Sequence, residues 1–308
     1  MKINMKNLNE LIDTVKSRKK VTLSVAAAHD EEVLLAIKGA IDNEIVDPIL
    51  VGDENKIKDI AKEIDLNLEG IKIINETDLE KCAKYAVCEV SSNRADFVMK
   101  GLLDTSIILK AVLNSEWGLR TSNLLSHVMI YEVPNYHKLI ISTDGGMNIA
   151  PNLEQKKQIL ENAIKATKPL GYETIKVACI AAKEKVSSKM QATVDAKALE
   201  DVCKQGEFGD NVIVEGPLAI DLALSKKSCE IKGFDTKVGG DVDILLMPTI
   251  EVGNAVGKTM TYMADAKSAG IIMGAKTPVV LVSRADTYES KLYSIAYGAL
   301  IAGNKSIN

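Results

Sequence analysis

Ser283 and Arg284 stand directly after Val279 to Val282, an apolar run that reads as a buried strand. A guanidinium at a strand tip offers a planar fork matched to phosphate, and the adjacent hydroxyl can donate a further bond. A surface salt bridge is the alternative use of such an arginine. A second short run, Ile244 to Met247, also ends in polar residues, Pro248 to Asn254. Gly253 is expected at a strand-to-helix turn there, where free N–H groups and a positive helix end suit an anion, with Asn254 as a candidate amide donor. Ligands of parallel sheets collect at the carboxyl ends of strands, so both tips are candidate sites for an anionic substrate.

Spacing argues against several other chemistries. Gly253-Asn254-Ala255-Val256-Gly257-Lys258-Thr259 has three residues between its glycines where a nucleotide-binding P-loop needs four, and Val252 stands where the first glycine belongs. No G-x-G-x-x-G opens a helix, which weakens a nicotinamide dehydrogenase. A Ser-His-Asp arrangement or nucleophile elbow is also missing, so a covalent acyl-serine is not indicated.

The elements that must carry these tips alternate. Leu8, Leu11, Ile12 and Val15 recur at helical spacing, and Val21 to Ala27 follows as a strand with His29 at its tip. His29 reads as a local hydrogen-bonding residue or as a phosphate contact. Strand Ile49 to Val51, helix Lys56 to Ile64, strand Ile71 to Ile74, a helix entered by a Thr77/Glu80 capping box, and strand Ala95 to Met99 continue the order. That is the succession a parallel sheet with crossover helices requires. Val128 to Val133 and Leu139 to Ser142 then read as a hairpin, which places a boundary nearby: a first α/β domain of 1–125 with 276–308, and a second of 126–275. The second is expected to hold a long helix from about Ala150 to Pro169, strands Lys176 to Ala181 and Asn211 to Val214, and helix Met190 to Lys204. Another helix is expected after Pro217, a surface loop over Ser225 to Asp241, and a closing helix over Tyr288 to Ala302.

Composition bounds the function. A chain of 308 residues, 46% hydrophobic and 26% charged, suits a globular α/β protein, and its net charge of -4 argues against nucleic acid as a partner. Five cysteines without C-x-x-C spacing suggest reduced thiols rather than zinc or disulfides. Neither a signal-peptide core nor a run of membrane-spanning length is present, so a cytoplasmic protein with no membrane partner is expected.

Pro248, Gly253-Asn254, Lys258, the Gly270 to Gly274 run and Ser283-Arg284 together resemble the C-terminal signature of the phosphate acetyltransferase and phosphate butyryltransferase family. Glu215-Gly216-Pro217-Leu218-Ala219-Ile220-Asp221 is similar to the butyryl branch in particular. The resemblance implies a two-domain, parallel-sheet architecture like isocitrate and isopropylmalate dehydrogenases, with an interdomain cleft. It implies direct transfer of a butyryl group between coenzyme A and inorganic phosphate in a ternary complex, giving butyryl phosphate. No cofactor or metal is implied, because the thioester is itself a substrate, and a homo-oligomer is expected. The rivals are acetyl transfer, a nicotinamide dehydrogenase of the same broad fold, and a non-catalytic acyl-CoA-binding protein.

Residue by residue, the resemblance gives Arg284 and Ser283 to phosphate. Lys110 stands where acetyl-transferring relatives have a phosphate-contacting arginine, and Thr105 also matches; a solvated helix lysine is the alternative for Lys110. Asp144, Asn152 and Lys258 fit the wording of segments that line the cleft, although a carboxylate before paired glycines also makes a plain turn. Where those relatives carry the aspartate regarded as the base, this chain has Ser290. Glu289 and Asp286 are therefore both candidates for the acid–base group.

Overall fold

A computed structural model describes residues 4–283 and 286–304. The elements in chain order begin α1 (Leu8–Lys16), β1 (Val21–Ala26), α2 (Glu31–Asp42), β2 (Val46–Gly52), α3 (Glu54–Glu63), β3 (Lys72–Asn75), α4 (Leu79–Ser91), β4 (Phe97–Lys100) and α5 (Thr105–Val112). Next come β5 (Ser126–Glu132), β6 (Ile140–Thr143), α6 (Leu153–Thr167), β7 (Ile175–Ile180), α7 (Gln191–Lys204), β8 (Val212–Leu218), α8 (Ile220–Leu224), α9 (Lys226–Lys232), β9 (Ile244–Leu246) and α10 (Ile250–Met263). The last are β10 (Lys267–Met273), β11 (Val279–Val280) and α11 (Tyr288–Ala302). The chain divides into two compact units, Leu8–Asn123 with Ser268–Asn308, and Met1–Asn7 with Leu124–Lys267. The boundary read from the sequence at 275/276 falls instead between β10 and β11, which pair antiparallel through Ile271 and Val280, so β10 belongs with the first of these units.

In the first unit the strand order is β3-β2-β1-β4-β11-β10, parallel from β3 through to β11. β4 is buried at every position and β1 at all but one, the pattern of strands covered on both faces. The strand-to-helix connections repeat one device. Asp30, Asp53 and Asp78 cap α2, α3 and α4, each accepting a backbone N–H from the first turn. The cap of α4 is thus Asp78 rather than the expected Thr77. α11 lies on the sheet: the Gly270 N–H donates to Ser294 Oγ at 2.9 Å, and a Cβ on Gly298 would come within 2.8 Å of the Phe97 ring.

The second unit orders its strands β5-β6-β9-β7-β8, and the expected hairpin is the antiparallel β5–β6 pair. The other pairings are parallel, and Ile140, Ala178, Leu218, Leu222 and Leu245 form part of its core. Two expectations change here. Ser225 to Asp241 is not a loop throughout: Ser225 caps α9, which stops at Gly233 in the left-handed region, φ 59°. α10 begins at Ile250, so Gly253 lies inside the helix and not at its entry turn. No helix among the described residues is long and apolar enough to cross a membrane.

Candidate active site

At the carboxyl ends of β1, β4 and β11 the chain builds one small cavity from Asp30, Lys100, Gly101, Ser283 and Lys291, with apolar sides. Gly101 is required by close approach. Its N–H donates to the Ala26 carbonyl at 2.8 Å, and a Cβ there would collide with the carbonyls of Ala26 and Ala27. Lys100, only 6% exposed, folds back to donate to the carbonyl oxygens of Gly101 and Leu103 at 3.2 and 3.0 Å.

Ser283 is exposed at the rim, and its N–H donates to Asp286 Oδ2 at 2.8 Å while the Asp286 N–H returns to the Ser283 carbonyl at 3.1 Å. A third bond fixes this turn, from Lys291 Nζ to the Asp286 carbonyl. Asp286 is therefore an acceptor inside the turn that presents Ser283. Arg284 lies outside the described residues. Glu289 is exposed in the first turn of α11, and Ser290 donates its N–H to Thr287 Oγ1 at 3.3 Å as part of the helix cap.

Other residues singled out from the sequence lie elsewhere in this unit. Thr105 is the exposed first residue of α5. Lys110 faces a separate hollow of about 270 Å³ shared with Lys84 and Trp117, and pairs with Glu80 at 3.5 Å across exposed surface. Such a pair adds little stability. His29 Nδ1 accepts the Asp53 N–H at 3.3 Å, and burial, then Lys56, lower its pKa, so a neutral imidazole is favoured. That is the local hydrogen-bonding role.

In the second unit Asp144, 2% exposed, accepts four bonds. Gly146 and Met147 donate to Oδ1 at 2.8 Å each, and the His127 N–H and Asn148 Nδ2 donate to Oδ2 at 3.1 and 2.6 Å. Its carboxylate organises the 144–148 loop. α10 packs directly on that loop, because a Cβ on Gly253 would lie 2.6 Å from the Asp144 carbonyl and 2.7 Å from Gly145 Cα. Asn254 is exposed in α10 and donates from Nδ2 to the Gly145 carbonyl at 3.4 Å. Asn152 makes a reciprocal capping box with Gln155 at the start of α6. Lys258 sits over the Tyr262 ring at 5.8 Å, one turn along the same helix.

Sequence reasoning passed over Lys100, Lys291 and a buried pair in the second unit, Lys156 with Asp195 at 2.6 Å, close to the carboxyl ends of β7 and β9. A signal for Lys291 was present. It shares the i, i+3, i+7 stripe of α11 with Ser294 and Gly298, the face that meets the sheet. For Lys100 the signal was its place at the last position of a fully buried strand.

All five thiols have raised pKa values, Cys82 to about 11, with burial as the leading cause each time. They are protonated at neutral pH and poor nucleophiles.

Comparison with known proteins places the chain in a family. The sequence matches the phosphate acetyl/butaryl transferase family over residues 7–88 and 79–299. It is 44% identical over 301 residues to a phosphate butyryltransferase of Clostridium acetobutylicum, covering 98% of this chain and 100% of that one. A branched-chain phosphotransacylase from Enterococcus faecalis superposes with a TM-score of 0.82 at 34% identity, over 92% of this chain and 99% of that one. The 4-hydroxythreonine-4-phosphate dehydrogenase of Klebsiella pneumoniae shares the fold alone, with a TM-score of 0.55 and 11% identity over 92% of this chain and 99% of that one. A full-length relationship of this strength, on a dehydrogenase-like α/β fold, means that the chain belongs to the phosphate acetyl/butaryl transferase family.

Proposed function

We propose that the protein moves a butyryl group reversibly between coenzyme A and inorganic phosphate. The observation that carries this reading is the 44% identity to a phosphate butyryltransferase over 98% of the chain. A phosphate oxygen attacks the thioester carbonyl, the C–O bond forms as the C–S bond breaks, and the proton of hydrogen phosphate ends on the departing thiol. Orientation of two bound substrates and donors for the developing oxyanion supply most of the acceleration in such a reaction.

Within this reading Arg284 and Ser283 clamp phosphate, with Lys110 and Thr105 as further candidates, and Asn254 donates to the oxyanion. Asp144, Asn152 and Lys258 remain candidates for shaping the substrate site. Glu289 or Asp286 carries the proton. Protonated thiols support direct attack over an acyl-cysteine intermediate. No cofactor takes part, the enzyme works in the cytoplasm, and it assembles as a homo-oligomer, which light scattering tests.

The decisive assay is thiol release from butyryl-CoA with and without phosphate. Release that requires phosphate, with no ATP or added metal, is expected. Equal release without phosphate would indicate a thioesterase, and NAD reduction on a hydroxy acid would indicate a dehydrogenase.

A further inference from the structure

We propose that the hollow between α4 and α5 is a nucleotide site, in which Trp117 stacks on the base while Lys81 and Lys84 hold the phosphate. The site stands apart from the acyl-transfer reading. Only one of its two sources of ligand, the adenosine phosphate end of coenzyme A, rests on that reading; a free nucleotide is the other.

Shape is the first support. The hollow measures about 270 Å³, and Ile107 and Ala111 of α5 give it an apolar side. Small-molecule sites are concave and largely apolar, with a few convergent polar groups, and this one is at the lower end of their size.

The indole is also presented by a fixed turn. Trp117 is the chain's single tryptophan, and it is half-buried at the wall of the hollow instead of packed in the core. Asn114 Oδ1 accepts the N–H groups of Glu116 and Trp117 at 2.9 and 3.1 Å. The Leu119 N–H returns to the Val112 carbonyl at 2.7 Å, and a Cβ on Gly118 would come within 2.5 Å of the Asn114 carbonyl oxygen. A ring held in this way before a ligand arrives loses little further freedom on stacking.

Charge stands beside the ring. Lys84 Nζ lies 5.5 Å from the indole centroid. Lys81 is one turn earlier on α4, so the two exposed side chains share a helix face, and both line the hollow. Together with Lys110 they set three ammonium groups against the carboxylates of Asp78 and Glu80 among the described lining residues. Asp78 already caps α4 by accepting the Lys81 N–H at 2.9 Å. An ammonium over an exposed ring makes a weak contact, and a phosphate oxygen is a stronger partner for the same group. A nucleotide carries a π face for the indole and an anion for the lysines in one molecule, and stacking tolerates any base because every base has such a face.

Trp117 is its own reporter, so binding can be read from intrinsic fluorescence of the full chain without any activity. Adenosine monophosphate should quench the emission saturably, with a Kd at or below about 1 mM. Adenosine and inorganic phosphate, each one half of that ligand, should bind about ten-fold more weakly or leave the emission unchanged. Lys81→Met and Lys84→Met should each raise the Kd for adenosine monophosphate about ten-fold, the loss of a charge-assisted bond, and Lys84→Arg should restore part of it. Both side chains are exposed, so these variants should melt with the unmutated protein. Coenzyme A and butyryl-pantetheine separate the two sources. If the coenzyme is the ligand, coenzyme A quenches as well, and Lys81→Met raises the KM for butyryl-CoA while that for butyryl-pantetheine holds. If a free nucleotide is the ligand, adenosine monophosphate quenches equally at saturating butyryl-CoA. Either result supports the site. Lack of saturable quenching by both adenosine monophosphate and coenzyme A overturns it, as does quenching of undiminished affinity in both methionine variants. Emission that changes with protein concentration alone, the sign of a second copy covering the hollow, would overturn it too. If the unmutated enzyme releases thiol without phosphate, the acyl-transfer reading falls, while the fluorescence titration still decides the hollow.

Discussion

Arg284→Lys separates charge from geometry. If the guanidinium grips phosphate by two parallel bonds, the lysine keeps the charge and loses the fork, so the phosphate KM should rise about ten-fold while that for butyryl-CoA holds. Steady-state kinetics with each substrate varied checks this, and unchanged phosphate saturation removes the clamp. The proton carrier calls for a different pair. Asp286 Oδ2 is engaged by the Ser283 N–H, whereas Glu289 is exposed on the first turn of α11. Glu289→Gln should therefore lower kcat about 10²- to 10⁴-fold with phosphate KM intact, and Asp286→Asn should lower it less than about ten-fold. Near-native kcat and pH–rate profile in Glu289→Gln would exclude it. Ser283, singled out from the sequence, lies at the rim of a small cavity, and Arg284 falls outside the described residues. The burial of Lys100 and Lys291 is readable only from their positions, the end of a buried strand and the sheet-facing stripe of α11, because a lysine's own type points to solvent.

At the scale of elements, the alternation of apolar runs with helical segments sufficed to place the parallel strands. Helix entry was read less well. Gly253 looked like a turn residue, yet its purpose is contact: without a Cβ, α10 can lie against the Asp144 to Gly146 loop. Gly253→Ala should force these apart and destabilise the protein by about 1–3 kcal/mol, visible as a lower melting temperature. An unchanged melting curve would show that the loop yields freely. The missed α9 has the same lesson, since a polar, glycine-bearing segment was helical through a serine cap and a C-terminal glycine. In the second unit, burial pushes the Asp241 carboxyl up, but hydrogen bonds from Lys138, Lys176 and His137 outweigh it and hold the group well below the usual carboxylate range. Burial raises its neighbour Asp243, which also meets Lys138 at 2.7 Å. A depressed carboxyl stabilises the folded state above its unfolded pKa of about 4 and loses that effect as pH falls towards the folded value. Asp241→Asn should thus melt below the unmutated protein at pH 7, and the gap should narrow below about pH 4. A gap of constant size down to pH 2 would mean that the ion pairs are not its source.

For the whole molecule, a net charge of -4 sets a condition on any anionic substrate: attraction has to be local. Basic side chains gathered at the carboxyl ends of parallel strands meet that condition. Fold and site therefore share a cause, while acyl-chain preference does not follow from either. It rests on the Gly216 to Asp221 wording and on the full-length relationship to a phosphate butyryltransferase. Butyryl exceeds acetyl by two methylenes, together about 1.6 kcal/mol if fully buried, which corresponds to roughly fifteen-fold in kcat/KM. Preference should consequently be graded across acetyl-, propionyl- and butyryl-CoA, each methylene adding about four-fold. Measured kcat/KM values that rise in this order support a pocket that buries the chain. A higher value for acetyl-CoA would move the protein to the acetyl branch and leave its phosphate chemistry intact.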